Sequence, residues 1–310
     1  MSFRDVQRLR TFALVLDLGS ISAAATVLGY TQSAVSQQLA AFEHEAGAAL
    51  VDRSQRPLRP TRAGAALRPH VERVLAAVTS AEAVVDGLQG ARTPPLRLIA
   101  FASALSSFIP AALRDLRRGR EDVVIQVLQL ETHEALEQLR AGRADMAVVH
   151  HMPGIAVPET AGLERRTLLV DDLHVVVPER HRLARRETVA VAELQDETLI
   201  LPPRDRPSGR FRAVVEHLCA QAGFAPRVGY EMDDLPAVQA FVAAGIAIVP
   251  MHGLTLTTLP QGVVARPLAE RPAGSRTVEA LVPADSPSVV VDDLLGRLLR
   301  AAHGWSAPAG

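Results

Sequence analysis

The chain has 310 residues, of which 48% are hydrophobic and 22% charged, the mix of a globular protein with ample core and room for roughly two or three domains. Its 33 basic residues are all arginine and face 34 acidic ones, so a formal net charge of -1 predicts by itself no nucleic-acid or membrane partner. The single cysteine, Cys219, excludes an intrachain disulfide and an all-cysteine zinc site and fits a reducing, cytoplasmic setting.

The opening residues Met1-Ser2-Phe3-Arg4-Asp5 show no basic segment followed by an apolar one, so no signal peptide is expected. The longest apolar run, Ala237 to Met251, is interrupted by Gln239 and Gly245 and is too short for a bilayer. Charge is unevenly spread: residues 1–73 carry nine Arg and six acids, a net of +3, and residues 74–310 carry 24 and 28, a net of -4.

A first helix is expected from about Arg4, with Val6, Leu9, Ala13 and Leu16 on one face and Gly19 at its end. Ser20 caps a short second helix holding Ala23, Ala24, Ala25 and Leu28, and the small residues let a neighbour cross closely. After the Gly29-Tyr30 turn, Thr31 caps a third helix that runs to Gly47. Its Val35, Leu39 and Phe42 point inward, while Gln32, Ser33, Ser36, Gln37 and Gln38 lie largely on other faces.

This pair of helices, 21–40, reads as a helix-turn-helix whose second member enters the major groove of duplex DNA. Thr31, Gln32, Ser33, Ser36 and Gln37 supply hydroxyls and amides that match base edges. Arg53, Arg56, Arg59 and Arg62 follow three apart beside Pro57 and Pro60. The first three of them read as an ordered wing that reaches phosphates. Ordinary surface solvation by the same Gln, Ser and Arg residues is the alternative, and the two features together weigh against it.

From Thr61 a heptad pattern begins: Leu67, Val71, Val74, Val78, Ala81, Val85 and Leu88 recur at spacings of four and three. A helix over 62–89 would span about 42 Å and pair two subunits. Periodicity alone does not separate such a seam from the face of a helix lying on its own domain. Pro94-Pro95 marks the linker beyond it.

Beyond the linker, apolar runs at Leu96–Phe101, Val123–Leu130, Met146–Val149, Leu173–Val177, Thr198–Leu201 and Ile246–Val249 alternate with helical patterns. Those patterns lie at Ala111–Arg118, Thr132–Ala141, Gly209–Ala222 and Leu235–Ala244, and the alternation predicts a parallel α/β sheet. Ser103, after the first strand and at a helix start, can contribute to an anion site; Arg204 or Arg206, after the strand Thr198–Leu201, can clamp a carboxylate. Adjacent His150 and His151 point to opposite faces of a strand, so no shared metal is expected. Cys219 at mid-helix reads as a small buried hydrophobe.

The run Ser20-Ile-Ser-Ala-Ala-Ala-Thr-Val-Leu-Gly-Tyr-Thr-Gln-Ser-Ala-Val-Ser-Gln-Gln-Leu-Ala-Ala-Phe-Glu43 resembles the helix-turn-helix of LysR-type transcriptional regulators. Leu50-Val-Asp-Arg-Ser-Gln-Arg-Pro-Leu-Arg-Pro-Thr-Arg-Ala-Gly64 resembles their wing and the start of their linker helix. Three positions depart from the family: Gln37 replaces a common basic residue, Val51 a Phe and Pro60 a Leu.

The resemblance implies an α/β fold with an all-α winged helix-turn-helix N-terminal domain, a long linker helix and a two-subdomain effector domain similar to periplasmic binding proteins. The expected divisions are 4–61 for DNA binding, 62–89 for the linker and 90–310 for the effector domain. Within the last, subdomain I covers about 95–164 and 268–303 and subdomain II about 165–267. It further implies Ser103, Thr132, His150, Pro203 and Arg204 as effector contacts, and a homodimer or homotetramer built through the linker helix.

The function expected is sequence-specific binding of double-stranded DNA controlled by a small-molecule effector, an organic acid, with no cofactor, metal or membrane. The alternatives are a non-catalytic solute-binding protein, an α/β enzyme or a ligand-free DNA-architectural protein. G-x-S-x-G, H-E-x-x-H and the P-loop motif are absent, and without lysine there is no Schiff base, so no catalytic constellation supports the enzyme.

Overall fold

The computed structural model describes residues 5–88, 95–153, 160–206, 208–271, 273–284 and 288–306, apart from the side chains of 80 and 83–88. The chain divides into two compact units, Met1–Pro95 with Glu137–Ala144, and Leu96–Leu136 with Asp145–Gly310.

In the first unit α1 (Val6–Leu18), α2 (Ile21–Leu28) and α3 (Gln32–Ala46) start on side-chain caps from Asp5, Ser20 and Thr31. Each ends on a glycine with positive φ: Gly19, Gly29 and Gly47. The expected start of the first helix at Arg4 lies outside the described residues, and Asp5 is the observed cap. Leu9, Phe12, Leu16, Val35, Leu39 and Phe42 form one buried cluster, with the Phe12 and Phe42 rings 5.3 Å apart.

Strands β1 (Val51–Asp52) and β2 (Arg59–Pro60) pair antiparallel, so the domain expected as all-α carries a small β wing. The 27-residue helix α4 (Arg62–Leu88) contains Pro69 in its second turn. Its first part departs from the seam expectation. Val71 is buried in the core of its own unit, and Leu67 and Leu75 pack against it. Val74 and Ala81 are exposed and Val78 is half-buried; the side chains of Val85 and Leu88, and residues Gln89 and Pro94, lie outside the described residues.

The second unit holds a five-stranded sheet of order β4-β3-β5-β12-β6, with β3 (Leu96–Ala100), β4 (Ile125–Gln129), β5 (Met146–His151), β6 (Leu163–Asp171) and β12 (Arg276–Pro283). β3, β4 and β5 are parallel; β12 runs antiparallel to both β5 and β6. Helices α5 (Ala102–Ser106), α6 (Ile109–Gly119) and α10 (Val289–His303) complete this layer, with Leu98, Phe108, Leu116, Met146 and Leu294 in its core; α7 (Thr132–Arg140) begins in this unit, and its residues from Glu137 on belong to the first.

The second subdomain is built on β7 (Leu173–Pro178), β8 (Thr198–Leu201), α8 (Gly209–Gln221), β9 (Arg227–Glu231), α9 (Leu235–Ala243), β10 (Val249–His252) and β11 (Val263–Pro267). Here β8 and β9 pair parallel and single parallel bridges join Leu199 to Ile248 and Val189 to Leu268, whereas β10-β7-β11 is antiparallel, which corrects the expectation of a parallel sheet. Because β6 belongs to the first sheet, the chain crosses between subdomains at Asp172, seven residues beyond the expected boundary.

Candidate functional sites

On α3, Gln32, Ser33 and Gln37 are exposed and Ser36 is half-buried, while Val35 and Leu39 are buried. The Thr31 hydroxyl accepts from Ala34 N and lies 3.0 Å from that of Ser33, so it first of all shapes the helix start. Gln32 and Gln37 have no side-chain partner among the described residues, which leaves both amides available. Gln38 is turned inward, its Oε1 accepting from the Thr11 hydroxyl at 2.5 Å.

Glu43 anchors the wing at the other end of α3. Its Oε1 accepts from Leu50 N and Val51 N at 2.8 and 3.1 Å, and its Oε2 pairs with Arg53 at 2.9 Å. Arg53 is therefore partly neutralised. Arg56 and Arg59 are exposed and have no ion-pair partner among the described residues. Together they leave a cationic wing beside an uncharged, polar helix face, the combination that phosphate anchoring and base-edge contact require.

A second polar constellation lies at the tips of the five-stranded sheet, where β3, β4, β5 and β6 all end. Arg276 opens β12 at this edge and is 7% exposed. Its Nε bonds Asp171 Oδ2 at 2.9 Å, its Nη2 bonds Ser103 Oγ at 2.7 Å, and its guanidinium lies 4.9 Å from the Phe101 ring centroid. The same Phe101 ring meets His150 edge-on at 4.7 Å.

Thr132 clamps the His150 backbone, donating to its carbonyl at 2.9 Å and accepting from its N–H at 3.2 Å. The His150 ring points Nε2 toward Glu131 Oε2 at 3.5 Å. From the second subdomain, His252 closes β10, is 4% exposed and packs 5.2 Å from the Phe211 ring of α8. Arg210 at the start of α8 is within electrostatic reach of Glu131. His150 Nδ1 and His252 Nε2 are buried polar atoms without a protein partner, a pattern that in native proteins calls for an explanation.

Burial holds both imidazoles below their ordinary pKa, His252 far below, and the Arg276 charge pushes the same way. The His150 hydrogen bond lowers the Glu131 carboxyl. His174, half-buried on β7, is lowered by desolvation too. These neutral rings predict a stability profile. The unfolded chain takes up protons through about pH 6.5 that the folded rings refuse, so stability should be complete above that pH and decline as pH falls below it. Urea melts between pH 7.5 and 5.5 should show this slope, reduced in His252→Phe; a flat profile in the wild type would contradict it.

The expected effector residues divide accordingly. Ser103 and His150 come together around Arg276, while Thr132 holds His150 in place. Ser103 lies in the short α5, whose cap Phe101 makes no side-chain cap bond, and the serine hydroxyl is engaged by Arg276. Pro203 and Arg204 lie on the loop after β8, their carbonyls close against Gly209 of α8. Arg204 is paired with Glu216 at 2.7 Å and Arg206 with Asp233 at 3.2 Å, so neither is a free clamp. Glu131, Asp171, Phe211, His252 and Arg276 were not foreseen.

Cys219 is buried, and desolvation pushes its thiol up to about 11. Among the described residues no group of three His, Cys, Asp or Glu is placed to hold a metal ion, and no helix is long and apolar enough to cross a membrane.

Residues 6–65 match the family described as bacterial regulatory helix-turn-helix protein, lysR family, and residues 89–303 match the LysR substrate binding domain. The HTH-type transcriptional regulator ShiR of Corynebacterium glutamicum (strain R) is 30% identical over 262 residues, covering 84% of this chain and 86% of that protein. A probable hydrogen peroxide-inducible genes activator of Mycobacterium avium is 31% identical over 257 residues, 83% of this chain and 78% of its own. The structure of full-length CbnR complexed with its target DNA aligns over 96% of this chain and 99% of that one, with a TM-score of 0.63 at 20% identity, which shows the shared fold. A capped helix-turn-helix with a basic wing, followed by a two-subdomain α/β unit and matched in both parts, makes this chain a member of the LysR family of DNA-binding transcriptional regulators.

Proposed function

We propose that this regulator reads base edges with Gln32, Ser33, Ser36 and Gln37 of α3, anchors phosphates through Arg53, Arg56 and Arg59, and binds a small organic acid where Ser103, His150 and Arg276 converge. Thr31 and Thr132 support these contacts by shaping the start of α3 and the position of His150; Pro203 and Arg204 form the rim on the second subdomain. The observation that carries the DNA reading is the unpartnered amide face of α3 beside two exposed, unpaired wing arginines. The protein acts in the cytoplasm and binds its effector without turning it over.

Binding to a duplex from the regulator's own upstream region, followed by fluorescence anisotropy across salt concentrations, tests the division of labour. Arg56→Ala and Arg59→Ala should each weaken binding to all sequences and reduce the log–log salt slope by about 0.9. Gln32→Ala should leave the slope alone and cost about 1–3 kcal/mol of discrimination at one base pair per half-site. Identical behaviour of all three variants would contradict this division.

Peroxide sensing of the kind named for the Mycobacterium avium relative is disfavoured here. Thiol oxidation needs a thiolate, and the one cysteine is buried with its pKa raised.

We propose further that the exposed part of α4 pairs two subunits, since Val74 stands 45% exposed in a single chain. Val74→Glu should shift the full-length protein toward monomer in light scattering after gel filtration. An unchanged dimer would remove α4 from the interface.

A further inference from the structure

At the strand tips each polar atom can be assigned as donor or acceptor from its protein partner. The carboxylate of Glu131, lowered in pKa, only accepts, so the His150 proton sits on Nε2, 3.5 Å away, and the buried Nδ1 is left as a bare lone pair. His252 follows the same rule. The Gly274 backbone carbonyl bonds its ring, and because Nε2 has no partner, the bonded nitrogen is Nδ1; Nε2 is again a bare, buried acceptor.

Two donors belong to the same group of side chains, since Arg276 is within electrostatic reach of both His150 and His252. Ser103 Oγ accepts from Arg276 Nη2 at 2.7 Å, which leaves the serine O–H free to donate. Arg276 uses Nε and Nη2 on Asp171 and Ser103, and its Nη1 has no partner among the described residues. The Asp171 carboxylate, in turn, is held by Arg276 and by the Leu254 N–H at 3.0 Å, so it presents no strong bare charge to a ligand.

We propose that the effector is a small carboxylic acid bearing at least two hydroxyl groups: its carboxylate accepts from Ser103 Oγ and Arg276 Nη1, and two hydroxyls donate to His150 Nδ1 and His252 Nε2. This rests on the reading of these strand tips as the effector site. An acid without hydroxyls would leave two buried lone pairs facing carbon. A sulfate, which carries no O–H at neutral pH, would oppose them with further acceptors. The Phe101 and Phe211 rings beside the two histidines cover the carbon skeleton of such a ligand.

Matched probes separate the two layers of this inference. Calorimetry on the full-length protein would compare gluconate with hexanoate, 3,4,5-trihydroxybenzoate with benzoate, and tartrate with succinate. In at least one pair the hydroxylated acid should bind tighter by about tenfold to a hundredfold per matched hydroxyl. His252→Phe, which keeps a ring of similar size, should bring the members of that pair close together, whereas Ser103→Ala should weaken both. The comparison within the wild type needs no variant to fold. Equal binding of both members, lost in Ser103→Ala, would overturn the hydroxyl assignment and leave the effector site in place. Binding indifferent to both substitutions, or none up to millimolar concentration, would overturn the site itself.

Discussion

Asp171→Ala should destabilise the effector-binding unit by about 3–5 kcal/mol, because it strands the Arg276 guanidinium, 7% exposed, without its counter-charge. The pair is almost fully buried, 2.8 Å apart, and Asp171 also accepts the Leu254 N–H, which would lose its partner too. Arg204→Ala is the contrasting case. Its pair with Glu216 has the guanidinium 69% exposed, where water screens the attraction, and the loss should be about 0–1 kcal/mol. The double variant Asp171→Ala/Arg276→Met should recover much of the lost stability while abolishing effector binding, since it removes both buried charges together. Urea denaturation of the four proteins measures this; a single Asp171→Ala variant within about 1 kcal/mol of wild type would show that the pair is solvated.

Gly64→Ala should damage the DNA-binding unit in a different way. A Cβ at Gly64 would lie 1.9 Å from the Leu50 carbonyl oxygen and 2.9 Å from its carbon, both backbone atoms that cannot rotate aside. That carbonyl also accepts the Thr61 N–H at 3.0 Å, so a displaced α4 would pull on both strands of the wing. Overpacking of this kind costs about 1–3 kcal/mol, and with backbone on the far side the upper end is expected. DNA affinity should fall with it, since Leu50 N and Val51 N fix the wing to Glu43. Gly29→Ala is the control: its Cβ meets nothing within 4 Å, and the cost is the left-handed backbone at φ 68, about 1–2 kcal/mol. Thermal melts that rank Gly29→Ala below Gly64→Ala in stability would contradict the steric reading.

The N-terminal unit was legible because its signals are local. Asp5 or Ser20 or Thr31 at a helix start, glycine at its end and apolar residues at helical spacing are all read within one turn of each other. The wing strands escaped notice at two residues each, and α4 misled in its first turns because a coiled-coil seam and a domain-facing stripe share one spacing. In the second unit, β6 was missed because Glu164, Arg165 and Arg166 interrupt its apolar run at an exposed sheet edge. Strand direction was misjudged in β10-β7-β11 because an apolar run carries no sign of which way its neighbour runs.

The proposed effector site was half legible. Ser103, Thr132 and His150 followed from family layout at the ends of visible strands. Arg276 gave no local sign, since the residue that buries it, Asp171, lies 105 positions away. His252 is likewise an ordinary histidine until β10 brings it to the same edge as α8. The ion pair of Arg204 gave no local sign either, because its acceptor, Glu216, sits one loop and two turns along the chain.

Passing a library of random duplexes over the full-length protein, then sequencing those retained, asks whether α3 reads DNA at all. Wild type should enrich a two-fold symmetric motif with half-sites about one helical turn or a multiple of it apart. Alanine at Gln32, Ser33 and Gln37 together should erase the preference within each half-site while retaining salt-dependent binding. Enrichment of the same motif by the triple variant, or of no motif by wild type, would show that this helix does not lie in the groove.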